Sequence, residues 1–367
     1  MQSDMEGQAF SLADQFEATS DSRSSRGKRY SLSFLLRATA CAMMCGAQGF
    51  VQIAEWICAQ PKSKLRLLGN YRDGPPHEST VRKALRKVEL RAFQSQLYNW
   101  LSVSSSSQAI AVDGKTLKAS RDKNGRQIHV LSAITHGDAQ PLGDMPVDYK
   151  ASEIHEIRPL LDSIDIRGKI VTADALHSTK DFAAWLKGRE ADYVFTMKGN
   201  RKKLIGRLNM LTIKENSYSK ASTEDRGHGR EDKRTLYLMK ELPFWLHFPT
   251  AEQAFIIERE SVIRKSGKIR REQVYGLTSL KDSDAAQLLQ LNRGHWTVEN
   301  KMFYVRDVTF NEDRSSVRSG SLPHLMITLR NVIMAIFRKK GQFQIAKTIR
   351  SCLYGKDTDL GYLFSKI

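Results

Sequence analysis

Gln108-Ala-Ile-Ala-Val-Asp113-Gly-Lys-Thr116 decides how the chain is read. An apolar run that stops at an Asp and a Gly is the pattern of a buried strand delivering a carboxylate at its end. Residues 128–135, Ile-His-Val-Leu-Ser-Ala-Ile-Thr, read as a second strand after the Asn124-Gly125 turn, so a hairpin is expected. Residues 142–147 read as a third strand. Residues 152–165 read as a helix capped by Ser152, with Ile154, Ile157, Leu160 and Leu161 inward. Lys169-Ile-Val-Thr-Ala-Asp174-Ala is a fourth strand that again stops at an Asp. A helix over 179–189 and a fifth strand over 193–199 come next.

Strand, strand, strand, helix, strand, helix, strand is the order of the ribonuclease H-like fold, an α/β mixed sheet with flanking helices. There the first and fourth strands are neighbours. Asp113 and Asp174, 61 residues apart in the chain, are then expected at adjacent strand ends. Adjacent carboxylates repel, which raises one pKa unless a cation lies between them. A divalent metal meets that need. The plainer alternative is that each Asp ends its strand in a turn.

A third carboxylate comes from far downstream. Residues 284–308 lack Pro, and Gly294 is their only Gly, so one continuous helix is expected. At roughly 100° per residue, Val298, Met302 and Val305 share a core-facing stripe, and His295, Glu299 and Arg306 share the next one. Glu299 then sits at a core margin with nitrogen-bearing side chains on either side. That suits a metal ligand whose neighbours His295 and Arg306 touch a phosphate backbone. An edge-of-core ion pair is the alternative.

The remaining chain sorts around these elements. Residues 1–29 read as a flexible basic arm. Residues 30–101 read as an all-helical, DNA-binding-type module. Its last helix, over 80–90 with Ser79 as cap, carries Arg82, Lys83, Arg86 and Lys87 on one side. A solvated basic helix explains those charges equally well. Residues 102–107 are a linker candidate, and 108–340 the catalytic domain. About 200–282 interrupts it as a mostly β insertion, with strands expected over 235–239, 254–259 and 273–277. Basic groups fall on Lys198, Arg201 and Lys202, and on Arg226 and Arg230. Helices over 322–337 and 345–353 close the chain, with 341–367 as a C-terminal helical tail.

The chain has 58 Lys plus Arg against 40 Asp plus Glu, a net charge of +18 that points to a polyanionic partner, nucleic acid first. Its four cysteines, Cys41, Cys45, Cys58 and Cys352, show no Cys-x-x-Cys spacing and read as reduced thiols of a cytoplasmic protein. No run is long enough to span a bilayer, and no membrane partner is expected. P-loop, Rossmann-glycine and zinc-ligand patterns are missing.

Two strand-end aspartates and a helical glutamate make an oxygen-only donor set, which prefers Mg²⁺ or Mn²⁺ to zinc. Two ions about 3.5–4 Å apart can activate water and stabilise the leaving oxygen in phosphodiester cleavage. In that scheme Asp113 bridges both ions, Asp174 holds one and Glu299 the other. Five ordered blocks carry a resemblance in addition: Ala111-Val-Asp-Gly-Lys-Thr-Leu117, Thr172-Ala-Asp-Ala-Leu-His177, Val194-Phe-Thr-Met-Lys-Gly-Asn200, Arg226-Gly-His-Gly-Arg230, and His295-Trp-Thr-Val-Glu-Asn300 through Asp313. With these the chain resembles the DDE transposases of the H-repeat-associated insertion-sequence family over almost its whole length. The resemblance implies a ribonuclease H-like core, a Mg²⁺-dependent Asp113–Asp174–Glu299 triad and transposition of the protein's own element. It also implies double-stranded DNA partners (terminal inverted repeats and target) and a homodimer on DNA, placing the protein in the cytoplasm at the nucleoid. Related bacterial transposases carry a Tyr-Arg-Glu-Lys signature. The matching places here hold Asn292, His295, Glu299 and Arg306, so only the Glu and a basic last position fit. The rival functions are a non-catalytic DNA-binding protein and a domesticated metal-dependent nuclease.

Overall fold

The computed structural model describes all residues except 1–8, 27, 70, 72–73, 103–106, 122–123, 148–152, 198–200, 228 and 356. Its centre is one nine-stranded mixed sheet. In chain order the strands are β1 (Ala109–Arg121), β2 (Gln127–Thr135), β3 (Pro141–Val147), β4 (Ile170–Ala173), β5 (Asp192–Met197), β6 (Ser219–Gly227), β7 (Arg230–Met239), β8 (Gln253–Ile263) and β9 (Lys268–Thr278). Their order across the sheet is β3-β2-β1-β4-β5-β9-β8-β7-β6. β1, β2 and β3 are antiparallel neighbours, and β4 and β5 run parallel to β1. The first and fourth strands are thus adjacent.

Alternation along each strand divides the side chains between two layers. On one face Ile110, Val112, Val171, Tyr193 and Phe195 pack against α7 (Glu153–Asp162) and α8 (Lys180–Gly188). Val194, Leu236, Phe255 and Ile257 point the other way and pack on Leu288 and Leu289 of α10 (Ala285–His295). Asp284 caps α10, its carboxylate accepting the Gln287 N–H at 2.7 Å.

Several elements depart from the sequence reading. β1 does not stop at Asp113. Its pairing with β4 ends at Val112↔Ala173, whereas its pairing with β2 continues through Asp113↔Ser132 to Arg121↔Gln127. The expected insertion is no separate layer: β9 pairs antiparallel with β5 and extends the same sheet, and β6 is a strand the alternation did not reveal. The helix expected over 152–165 spans Glu153–Asp162, and its proposed cap Ser152 lies outside the described residues. Within the expected arm, Leu12–Glu17 form α1, capped by Ser11, and Leu12, Ala13 and Phe16 are buried. Three apolar side chains in six residues suffice to dock it on the helical core.

That core joins the N-terminal helices α2 (Leu32–Met44), α3 (Phe50–Ala59), α4 (Lys62–Leu67), α5 (Glu78–Leu85) and α6 (Leu90–Ser102) to the chain's end. Helix α5 starts two residues earlier than expected, with His77 rather than Ser79 as its cap, and its Arg82 and Lys83 are exposed. The closing helices are α12 (Leu322–Lys339), α13 (Ile345–Tyr354) and α14 (Thr358–Leu363). Every residue of α12 from Leu322 to Phe337 is buried, the polar His324, Thr328, Arg330 and Asn331 among them. Two of its polar members tie it to other elements: Gln94 Nε2 donates to Thr328 Oγ1 at 3.0 Å, and Asn331 Nδ2 to Asp144 Oδ2 at 2.9 Å. The helical module, α12 and the sheet are thereby held together.

The helix expected to run unbroken over 284–308 is interrupted. After α10 come a π-helical segment, Val298–Phe303, and then α11 (Tyr304–Val308). In the π segment the Tyr304 N–H donates to the Glu299 carbonyl, five residues back. A π turn holds more residues than an α turn, so six of them rotate α11 by roughly a quarter turn relative to an α-helical wheel. Val298 and Met302 are buried as expected, but the stripe shared by His295, Glu299 and Arg306 is broken.

Candidate active site

Val112 lies opposite Ala173, so Asp113 and Asp174 are the next residues on neighbouring parallel strands. Both are half-buried and lie on the sheet face that α10 covers. A cleft of about 290 Å³ opens there, and its lining includes Asp113, Asp174 and Glu299. Three segments far apart in sequence thus supply carboxylates to one cleft. Asp113 Oδ1 accepts the Gly114 N–H at 2.8 Å, and Asp174 Oδ1 accepts the Leu176 N–H at 2.9 Å. Burial pushes Asp113 up to about 6. The Gly114 hydrogen bond opposes this, and the negative charges of Asp174 and Glu153 add to it.

The oxygen-only chemistry of the aspartate pair, and the charge repulsion it carries, fit a hard divalent cation held between the two carboxylates. Glu299 is exposed on the π segment. Among the described residues no three His, Cys, Asp or Glu side chains are grouped closely enough to hold a metal ion. Glu299 therefore shares the cleft with the pair without closing on it.

The expected DNA contacts are distributed differently from the sequence reading. His295 lines the cleft, and its Nδ1 lies 3.1 Å from Thr172 Oγ1. Arg201 donates to the Leu176 carbonyl at 3.3 Å, which places it behind Asp174, and Lys202 is exposed at the start of α9 (Lys202–Asn209). Arg226 and Arg230 stand at the turn between β6 and β7, outside the cleft lining. Lys198 lies outside the described residues.

Arg306 is a correction. Rotated inward after the π segment, it is fully buried and donates three hydrogen bonds of 2.7–3.0 Å to Glu312, whose other side takes Arg330 at 2.9 Å. No surface of Arg306 is left for a phosphate. The acidic block after it is likewise structural: Asp307 and Asp313 both pair with buried Lys115 of β1. These pairs clamp the end of the Glu299 segment to the Asp113 strand.

Several residues in or beside the cleft were not singled out as site residues by the sequence reading, although Arg234 falls in its basic run over 226–234. His136 Nε2 lies 2.9 Å from Thr172 Oγ1, and burial pushes the ring down to about 4, so it is neutral near pH 7. Gly294 makes room for it, because a Cβ there would stand 2.2 Å from His136 Nδ1. The His136–Thr172–His295 chain ties α10 to β4 beside Asp174. Behind Asp113, buried Glu153 is bracketed by His129 and His177. Arg234 and Arg259 line the far wall of the cleft. Isolated His, Thr and Arg residues carry no spacing signal that could have singled them out.

Comparison with known proteins places the chain. Residues 104–337 match the family described as "Transposase DDE domain", and residues 13–101 match "DDE_Tnp_1-associated". The chain is 28% identical over 352 residues to "H repeat-associated putative transposase YhhI" of Escherichia coli (strain K12), covering 91% of this chain and 92% of that protein. It is 27% identical over 349 residues to "Putative transposase YncI" of Escherichia coli O157:H7, covering 89% and 87%. Among solved structures, the cryo-EM piggyBac transposase synaptic complex with hairpin DNA aligns at a TM-score of 0.48 and 11% identity, over 93% of this chain and 74% of that one. With its catalytic-domain match spanning well over half of its length, the chain belongs to the transposase DDE domain family.

Proposed function

We propose that this protein is the DNA transposase of an insertion sequence, built on a ribonuclease H-like core, and that Asp113, Asp174 and Glu299 are its catalytic carboxylates. The observation that carries this reading is that these three residues, two from adjacent parallel strands just past their last paired residues and one from a distant helix, line one cleft. The family supports transposition as the biological setting. Asp113 and Asp174 would hold Mg²⁺ or Mn²⁺, two ions in all, with Glu299 as the third ligand. The metal supplies an activated water and charge stabilisation at the scissile phosphodiester. The chain's own part is to present the carboxylates. Adjacent parallel strands fix the two aspartates, and the π segment sets where Glu299 stands. Lys115, gripping Asp307 and Asp313, holds the two parts in register.

The partner is double-stranded DNA, the element's terminal repeats and then a target, engaged by a homodimer. The net charge of +18 supports a polyanionic partner. Exposed Arg82 and Lys83 of α5, with Lys202, Arg226 and Arg230, are available for phosphates, Lys198 is assigned to DNA from the sequence alone, and we assign residues 30–101 as the DNA-binding-type module. Among the described residues no helix is long and apolar enough to cross a membrane. A cytoplasmic, nucleoid-associated location follows from this function.

The test is nicking and strand transfer on a supercoiled plasmid carrying the element's ends. Wild-type protein should cleave at the ends with Mg²⁺ and not with chelator. Asp113→Asn and Asp174→Asn should each reduce cleavage by about 10³-fold or more, because several kcal/mol of charge stabilisation go with the metal. DNA binding should persist. Near-normal nicking by either variant would remove that aspartate from the site.

A further inference from the structure

The wall of the cleft opposite the acids contains an arrangement that plain fold stability disfavours. In the ladder between β7 and β8, Arg234 stands directly opposite Arg259, and in the next ladder Arg259 stands opposite Glu272. Like charges directly opposite each other on one sheet face repel. Both guanidiniums nevertheless line the same cleft as Asp113 and Asp174. They are held by two aspartates. Asp225 takes Arg234 at 2.7 Å and Arg293 of α10 at 2.9 Å. Asp232, almost wholly buried, takes Arg259 at 3.0 Å, Arg230 at 3.3 Å and Arg234 at 3.6 Å, and accepts a hydrogen bond from Ser261. Four guanidiniums therefore face three carboxylates, Asp225, Asp232 and the exposed Glu272 opposite Arg259, leaving a surplus of positive charge fixed in the wall. The Arg259 Nε is buried and has no hydrogen-bond partner among the described residues. Burial and the neighbouring Arg259 charge push Arg234 below its ordinary value, as expected of cations held together without enough counter-charge.

We infer that Arg234 and Arg259 form a phosphate-binding pair, holding the backbone of a DNA strand across the cleft from Asp113 and Asp174. A planar guanidinium fork suits phosphate oxygens, and a pre-positioned pair gives up little side-chain freedom on binding. The aspartates act as positioning residues: Asp232 aims Arg259, and Asp225 links Arg234 to Arg293 on the helix that leads to Glu299. The inference rests on the proposed function, because the ligand is the nucleic acid that the carboxylates would cut. It concerns residues distinct from Arg226 and Arg230, which lie at the hairpin turn.

The experiment is fluorescence anisotropy of the full-length protein with a labelled duplex of random sequence, across a salt series, together with a melting curve for each variant. Arg234→Gln and Arg259→Gln should each weaken binding by about tenfold and flatten the slope of log K against log salt by about one unit. Arg259→Lys, which keeps the charge, should restore the slope. Folded Gln variants with a wild-type slope overturn the pair. Exposed Glu272 provides a variant that does not threaten the fold. Glu272→Lys adds a cation to the row and should steepen the slope by about one unit, whereas Glu252→Lys, just before β8 and outside the cleft lining, should not. Equal slopes in these two variants overturn the inference even where the Gln variants do not fold. Plasmid nicking by the wild type reports on the underlying function separately. A protein that nicks DNA but keeps its slope in the Arg variants refutes the pair alone. One that loses slope as expected but never nicks refutes the catalytic reading and leaves the pair standing.

Discussion

Arg306→Gln separates a surface role for the Glu299 helix from a structural one. Read on an α-helical wheel, Arg306 contacts DNA, and its loss should leave stability unchanged. The structure reverses this. Arg306 is fully buried, and three hydrogen bonds join it to Glu312, which is itself buried and shared with Arg330. Removing one partner of a buried pair is destabilising by about 3–5 kcal/mol, because the other charge is left without compensation. Here Arg330 remains to neutralise Glu312, and one cation beside it is gone, so the low end, about 3 kcal/mol, is expected. At roughly 2 °C per kcal/mol for a chain of this size, the Tm should fall by about 6 °C. The assay is thermal and urea unfolding alongside duplex-binding anisotropy. A lower Tm and urea midpoint with an unchanged salt slope is the expected result. A Tm within about a degree of wild type, with duplex affinity reduced, would refute the burial argument and return Arg306 to the DNA face.

Asp113 has its pKa raised to about 6, so the fold favours its protonated form. That contribution is fully present below the unfolded value of about 4 and is lost as pH rises through about 6. In metal-free buffer near pH 8, Asp113→Asn should therefore stabilise the protein, by at most about 3 kcal/mol, and near pH 4 it should change little. An equal Tm shift at both pH values would contradict this. Gly276 lies across the ladder from Phe255, and a Cβ there would stand 2.0 Å from the ring. Gly276→Ala should cost about 1–3 kcal/mol by urea unfolding, and a wild-type midpoint would show that the ring can move aside. Of the four thiols only Cys58 is exposed, so a thiol reagent should label one cysteine per folded chain and four after denaturation. Labelling of Cys41, Cys45 or Cys352 at the native rate of Cys58 would place them at the surface.

Much of this protein is legible in the linear sequence, for a local reason. A strand buried on both faces must be apolar until it leaves the core, so Ala-Ile-Ala-Val-Asp113 and Ile-Val-Thr-Ala-Asp174 mark both the strands and the points where carboxylates emerge. The order of strands and helices after them matches that of the ribonuclease H-like fold, from which β1 is expected beside β4, and the two strands do pair. Apolar periodicity located α8 and α12 to within a few residues, and the start of α10 but not its end. The features that local pattern could not decide depend on partners far along the chain. Residues 200–282 read as β-rich, but only pairing of β9 with β5 makes them part of the same sheet. Register across β7 and β8 sets Arg234 against Arg259, and no spacing within either strand encodes that encounter. The π turn at Val298–Phe303 leaves no composition signal, yet it turns Arg306 from the cleft into the core, where Glu312 meets it. The sequence determines which residues are polar at the ends of apolar elements. Which of them face a common cleft, and which neutralise one another in the interior, is decided by packing, since charge compensation in a low-dielectric core depends on distance in space and not on separation in the chain.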